Sequence, residues 1–93
     1  MGTVDVKFFG AAIEAAKQHA GTEVVASNVR ELLERLSAAY GESFKQKVLD
    51  SNGAPQSFVN IYVNSRDIRH LDGLATLLND GDEVLILPAV AGG

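Results

Sequence analysis

The chain has no cysteine and no tryptophan among its 93 residues, and only two prolines, Pro55 and Pro88. The lack of cysteine excludes disulfides, cysteine-ligated zinc, redox dithiols and thiol nucleophiles together. Basic residues are the minority charge: 8 Lys+Arg stand against 12 Asp+Glu, a formal net charge of −4. A nucleic-acid binder carries a basic face, so that class is set aside. No apolar run approaches the roughly 20 residues of a membrane helix. No basic segment followed by a hydrophobic core and cleavage site reads as a secretory signal. Val6 occupies the position where a myristoylation pattern needs Ser or Thr. The expected location is therefore cytoplasmic, with neither membrane nor nucleic acid as partner. The 46% hydrophobic content suits a packed globule. A chain of this length buries about 60–65% of its unfolded surface, enough to fold unaided. The expectation is a single domain over residues 1–93, ending in a flexible tail at 89–93.

Residues 3–9 alternate, with Val4, Val6 and Phe8 on one side and Phe9 on the other, which predicts a half-buried strand. An Ala-rich stretch at 11–19, with Ile13, Ala16 and Ala20 at helical spacing, predicts a short helix closed near Gly21. Residues 22–26 predict a second strand. Asn28 is a good N-cap and Glu31 follows three residues on, a capping-box pattern. Val29, Leu32, Leu33, Leu36 and Tyr40 then form one apolar stripe of the main helix, and Gly41 is expected to close it as a left-handed cap. Residues 42–49 predict one or two further turns, with Phe44 and Val48 inward. Residues 58–64 predict a third strand, 67–70 a short edge strand, and 71–78 at most one helical turn. Residues 83–87 predict a last strand ended by Pro88, which cannot donate to a ladder. Strands split by one main helix indicate an α+β domain with that helix across one sheet face.

Few residues invite chemistry. His19 and His70 have no ligand-type neighbour at metal spacing and are read as structural or surface groups. The Asn79-Asp80-Gly81-Asp82-Glu83 segment lacks the alternating acids of a calcium loop and reads as a turn. The serines have no nucleophile-elbow context, and no phosphate-cradling glycine loop is present. No metal site and no self-contained catalytic site are expected. The carboxyl end differs. Gly10, Gly21, Gly41, Gly53, Gly73 and Gly81 punctuate elements and Gly2 lies at the start, but Gly92 and Gly93 have no such role. Five residues reach at most about 16–18 Å beyond Pro88. Two glycines without Cβ could enter a narrow channel of a partner and present a carboxylate there. Joining that carboxylate to AMP would create an anhydride open to a sulfur or amine nucleophile.

The run Asp80-Gly81-Asp82-Glu83-Val84, then Leu85-Ile86-Leu87-Pro88, then Ala89-Val90-Ala91-Gly92-Gly93, resembles the carboxyl-terminal signature of the MoaD/ThiS sulfur-carrier family. Val6-Lys7-Phe8-Phe9-Gly10 resembles its first strand, and Ile61-Tyr62-Val63-Asn64-Ser65-Arg66-Asp67-Ile68 its strand and turn before the edge strand. The likeness covers essentially the whole chain and extends to MoaD-like small ubiquitin-like modifiers. It implies a β-grasp, ubiquitin-like fold of about five strands in a mixed sheet, strands one and five pairing in parallel at the centre.

The resemblance further implies a sulfur carrier. An ATP-dependent enzyme of ubiquitin-activating type adenylates Gly93, and persulfide sulfur converts it to a thiocarboxylate. No cofactor is bound permanently; the ATP belongs to the activating enzyme. The acceptor implied first is a pterin precursor, with this chain as the small subunit of molybdopterin synthase beside a large subunit. Many such small subunits carry two prolines before the tail, whereas this chain has Pro88-Ala89. Thiamine or tRNA thiolation, isopeptide modification of target lysines, and a plain interaction module with an inert tail are the alternatives. In a β-grasp sheet, Val4, Val6, Phe8, Val59, Ile61, Val63, Val84 and Ile86 face the helix. Phe9, Tyr62, Leu85 and Leu87 then form an apolar patch on the other face. With Pro88, Val90 and Ala91 they are the expected docking residues, Gly92 and Gly93 form the expected reacting end, and Asp80, Asp82 and Glu83 are expected to steer the domain onto a basic rim.

Overall fold

The computed structural model describes residues 2–88. Strand β1 (Gly2–Phe8) leads to a helix α1 (Ala11–Ala15), then β2 (Gly21–Ala26) and the main helix α2 (Val29–Tyr40). Helix α3 (Glu42–Val48) follows, then β3 (Val59–Val63), β4 (Arg66–Asp67), two short 3₁₀ turns (Ile68–His70 and Gly73–Ala75) and β5 (Glu83–Pro88). The sheet order is β2-β1-β5-β3-β4. β1 and β5 pair in parallel at the centre and the other pairs are antiparallel. This is the β-grasp arrangement.

Alternation builds the inner face. Val4, Val6 and Phe8 of β1, Val59, Ile61 and Val63 of β3, and Val84 and Ile86 of β5 are all buried. Against them α2 lays Val29, Leu32, Leu33 and Leu36, and α3 adds Phe44 and Val48. Tyr40 is half-buried and closes the stripe, with its ring centroid 5.9 Å from Phe8 and 6.2 Å from Phe44. At the start of α2, Asn28 Oδ1 accepts from Glu31 N–H at 2.8 Å. The return bond differs from a capping box: Glu31 Oε1 accepts from Ser27 N–H at 2.6 Å, one residue before the cap. That bond, foremost, holds the Glu31 carboxyl below its usual pKa.

The structure corrects several sequence expectations. Helix α1 spans only five residues, because Lys17 and Gln18 both take positive φ (55° and 71°) and end it. Its buried side is Ala12, Ala15 and Ala16; of the expected row, Ala16 is buried, Ile13 packs partly buried against the core, and only Ala20 is exposed. Gly41 has φ 74° and ψ −152°, outside the left-handed helical region. There it serves as the single joint between α2 and α3, a conformation that favours glycine. The edge strand is Arg66–Asp67, two residues long, and residues 68–70 coil into a 3₁₀ turn capped by Asp67. Phe58 lies in the turn before β3, and Pro88 lies inside β5 rather than beyond it. Gly2 is needed for space: a Cβ there would run into the Asn79 carbonyl carbon and the Asp80 backbone nitrogen.

Candidate functional site

The candidate site is the end of β5 and the sheet face beside it. β5 is the central strand, so the chain passes Pro88 between β1 and β3. A proline is tolerated on the β3 side and ends the bonding on the β1 side, each for a chemical reason. In an antiparallel pair, bonded and non-bonded residue pairs alternate. Asn64 N–H donates to Glu83 O at 2.8 Å, which puts Tyr62–Leu85 and Asn60–Leu87 in the bonded set and Val59–Pro88 in the non-bonded set. Val59 instead bonds outward, its N–H to Gln56 O at 2.9 Å and its carbonyl to Arg69 Nη2 at 2.9 Å. On the β1 side, Phe9 N–H donates to Ile86 O at 3.1 Å. The next donor of a parallel ladder would be the amide of residue 88, which proline lacks. Its would-be acceptor, Phe9 O, takes the Ala12 N–H at 3.1 Å. Pro88 therefore removes a donor from the β1 ladder without leaving a polar group stranded on β1.

The outer sheet face divides into two zones. Leu85 is opposite Tyr62 and beside Lys7, and Leu87 is opposite Asn60. Directly opposed side chains are neighbours, so Leu85, Leu87 and Tyr62 make one half-buried apolar cluster near the exit. Phe9 follows β1 at the same end and is 40% exposed. The structure thus puts Tyr62, Leu85 and Leu87 on one sheet face running toward the buried Pro88, with Phe9 just past the end of β1. It adds Phe58, also 40% exposed, directly before the Val59 that faces Pro88. Its equal spacing with Asn60 and Tyr62 was the available signal.

The acids lie elsewhere. Glu83 begins β5, five residue rises or about 17 Å from Pro88. Asp80 Oδ1 accepts from Thr3 N–H at 2.7 Å, and Asp82 accepts from Asn64 Nδ2 at 2.9 Å and Asn79 N–H at 2.8 Å. They hold the turn that starts β5. Register also aligns Glu23, Asp5 and Glu83 across β2, β1 and β5. Like charges so placed repel, and Lys7 Nζ, 2.9 Å from Glu83, offsets this. The hydrogen bond and charge of Glu83 in turn raise the Lys7 pKa.

Val90, Ala91, Gly92 and Gly93, the other expected site residues, lie outside the described residues. Among the described residues, no group of three or more His, Asp or Glu side chains could hold a metal ion. His19 Nδ1 lies 2.9 Å from Ala16 O and its ring leans on Tyr40, a structural arrangement. No helix among the described residues is long and apolar enough to cross a membrane. A shallow concavity of about 700 Å³ lies between Asn64, Leu77 and Asp82 at the acidic end.

A sequence model of the ThiS family matches residues 6–93. The sulfur carrier protein CysO of Mycobacterium tuberculosis is 52% identical over 60 residues, covering 62% of this chain and 63% of the relative. The match thus spans a little under two thirds of that relative's length. Small archaeal modifier protein 1 of Methanosarcina acetivorans superposes with a TM-score of 0.81 at 35% identity, covering 100% of this chain and 98% of that one. The CysO of Amycolatopsis orientalis, solved as a BexX/CysO complex, superposes at 0.81 with 28% identity, covering 97% and 99%.

Proposed function

This chain belongs to the ThiS/MoaD family of ubiquitin-like sulfur carriers, and from that premise we propose that it carries sulfur on the carboxylate of Gly93. The observation that carries this reading is the end of β5: Pro88 lacks the N–H that would continue the β1 ladder, and the Gly92-Gly93 segment follows it within five residues in the sequence. A Gly93 carboxylate oxygen attacks the α-phosphorus of ATP in an activating enzyme and pyrophosphate leaves. The terminal persulfide sulfur then attacks the acyl carbon and AMP leaves, giving an acyl disulfide; a thiol attacks the other sulfur of that bond, so that the thiocarboxylate leaves and a disulfide forms between the thiol and the former persulfide carrier. The apolar zone of Phe9, Tyr62, Leu85 and Leu87 is the docking surface for that enzyme and for the acceptor protein. The likeness to a CysO solved with a partner supports such docking. Asp80, Asp82 and Glu83 steer the approach from the far end of the strand. The acceptor proposed is a cyclic pterin precursor held by a larger synthase subunit, the one the family resemblance implies first, although Pro88-Ala89 stands where many such subunits carry two prolines.

A second reading is favoured by the likeness to a small archaeal modifier: the activated Gly93 is attacked by a lysine amine of a target protein, forming an isopeptide bond. Both share the adenylation step, so one experiment tests both. The protein is incubated with its adenylating enzyme, ATP and a sulfur source, and its intact mass is measured. Replacement of one oxygen by sulfur at the carboxyl end supports the carrier. Gly-Gly remnants on lysines of other proteins support the modifier. No change of either kind refutes both. Deleting Gly92 and Gly93 is expected to abolish activation.

A further inference from the structure

β4 is only two residues long and pairs with Tyr62 and Val63 alone. The remainder of β3, Val59 to Ile61, therefore has no strand on that side among the described residues, although it lies beside Pro88. Such an edge exposes unpaired carbonyls. One side chain occupies it. Arg69 Nη2 donates to Val59 O at 2.9 Å and Ser57 O at 3.3 Å, and Nη1 donates to Asn60 Oδ1 at 2.8 Å. The two carbonyls flank Phe58, the exposed aromatic at the exit, and Asn60 stands opposite Leu87 of the apolar zone. The guanidinium is itself held in place. Arg69 N–H donates to Asp67 Oδ1 at 2.8 Å, Asp67 Oδ2 lies 3.6 Å from Nη1, and the preceding Ile68 is buried in the core. A planar fork with several fixed donors can bridge three acceptors in this way; a lysine ammonium cannot do so with the same geometry.

We propose that Arg69 is a positioning residue for activation of Gly93, acting by pinning Phe58 and Asn60 at the β3 wall against which a partner docks. The role rests on the carrier reading above. Arg69 touches neither the tail carboxylate nor the nucleotide in this scheme, so its removal changes recognition and leaves the chemical step intact.

The test uses Arg69→Met, which keeps an apolar stem and removes the donors. ATP–pyrophosphate exchange by the adenylating enzyme is measured with the full chain as varied substrate, well below the unfolding temperature. The expected result is a KM raised about tenfold at unchanged kcat. Arg69→Lys falls between Met and wild type. In a Phe58→Ala background, Arg69→Met is expected to change KM less than about twofold, because residues acting as a unit are not additive. Amide exchange at Asn60 and Tyr62 should quicken, while that of α2 stays unchanged. A KM within about twofold of wild type, a fall in kcat alone, or full additivity with Phe58→Ala overturns this role and leaves the carrier reading standing. Absence of exchange with wild-type protein overturns the carrier reading and this role together.

Discussion

Replacing Asn64 by Ala separates the backbone and side-chain forces that set the start of β5. Asn64 and Ser65 form the β3–β4 turn with φ of 51° and 72°, a region that non-glycine residues avoid and Asn tolerates. The Asn64 side chain also donates to Asp82 Oδ1 at 2.9 Å and accepts from Glu83 N–H at 3.0 Å. Alanine in the left-handed region costs about 1–2 kcal/mol. Two solvent-exposed hydrogen bonds contribute about 0.5–1 kcal/mol each. Asn64→Ala should therefore destabilise by about 3 kcal/mol, lowering Tm by roughly 15 °C for a domain of this size. Asn64→Gly restores the backbone but loses the same bonds and gains unfolded-state entropy, for a loss of about 2 kcal/mol. With no tryptophan available, urea unfolding followed by far-UV circular dichroism is the assay, and an unchanged slope with a shifted midpoint reports stability alone. An Asn64→Ala protein within about 0.5 kcal/mol of wild type, or one more stable than Asn64→Gly, would refute the reasoning.

Three further outcomes are expected. Leu87→Asp places a charge in the apolar zone and should weaken binding to the activating enzyme at least about tenfold while the dichroism spectrum stays native; unchanged affinity removes Leu87 from the docking surface. Gly2→Ala forces a Cβ against the Asn79–Asp80 backbone and should cost about 1–3 kcal/mol, with faster amide exchange at Thr3, whose N–H bonds Asp80. Unaltered stability would mean that this approach is not close. The third concerns acid. The folded-state pKa of Glu31 is depressed, chiefly by the Ser27 N–H, so its stabilisation is present above the ordinary carboxylate pKa and is lost as pH falls through the folded value. Glu31→Gln should lose less stability than wild type between neutral pH and about pH 3; equal losses would remove Glu31 from the acid transition.

The elements were legible where one local rule governs them. The α2 stripe and its Asn28 cap follow from helical spacing, and the inner faces of β1, β3 and β5 from alternation, so the buried residues Val4, Val6, Phe8, Val59, Ile61, Val63, Val84 and Ile86 could be named in advance. Short elements were less legible. α1 ends at Lys17 and Gln18, and neither residue type signals a positive φ. The 68–70 segment coils because Asp67 caps it and Ile68 turns inward, which alternation cannot reveal.

By itself the sequence determined which residues are inward, that the last strand ends at a proline, and which family signature the carboxyl end bears. Those depend on the period of the chain, on a missing N–H, and on residue order, all of them local. Only the tertiary structure decided that Pro88 falls on a non-bonded pair, that Phe9 O finds Ala12 instead, and that Arg69 closes the β3 edge. It also decided that the acids of the 80–83 turn lie a full strand length from the exit, bound up in holding β1 to β5. All but the local Phe9–Ala12 bond depend on how segments distant in the chain meet, and that follows from how the whole core packs.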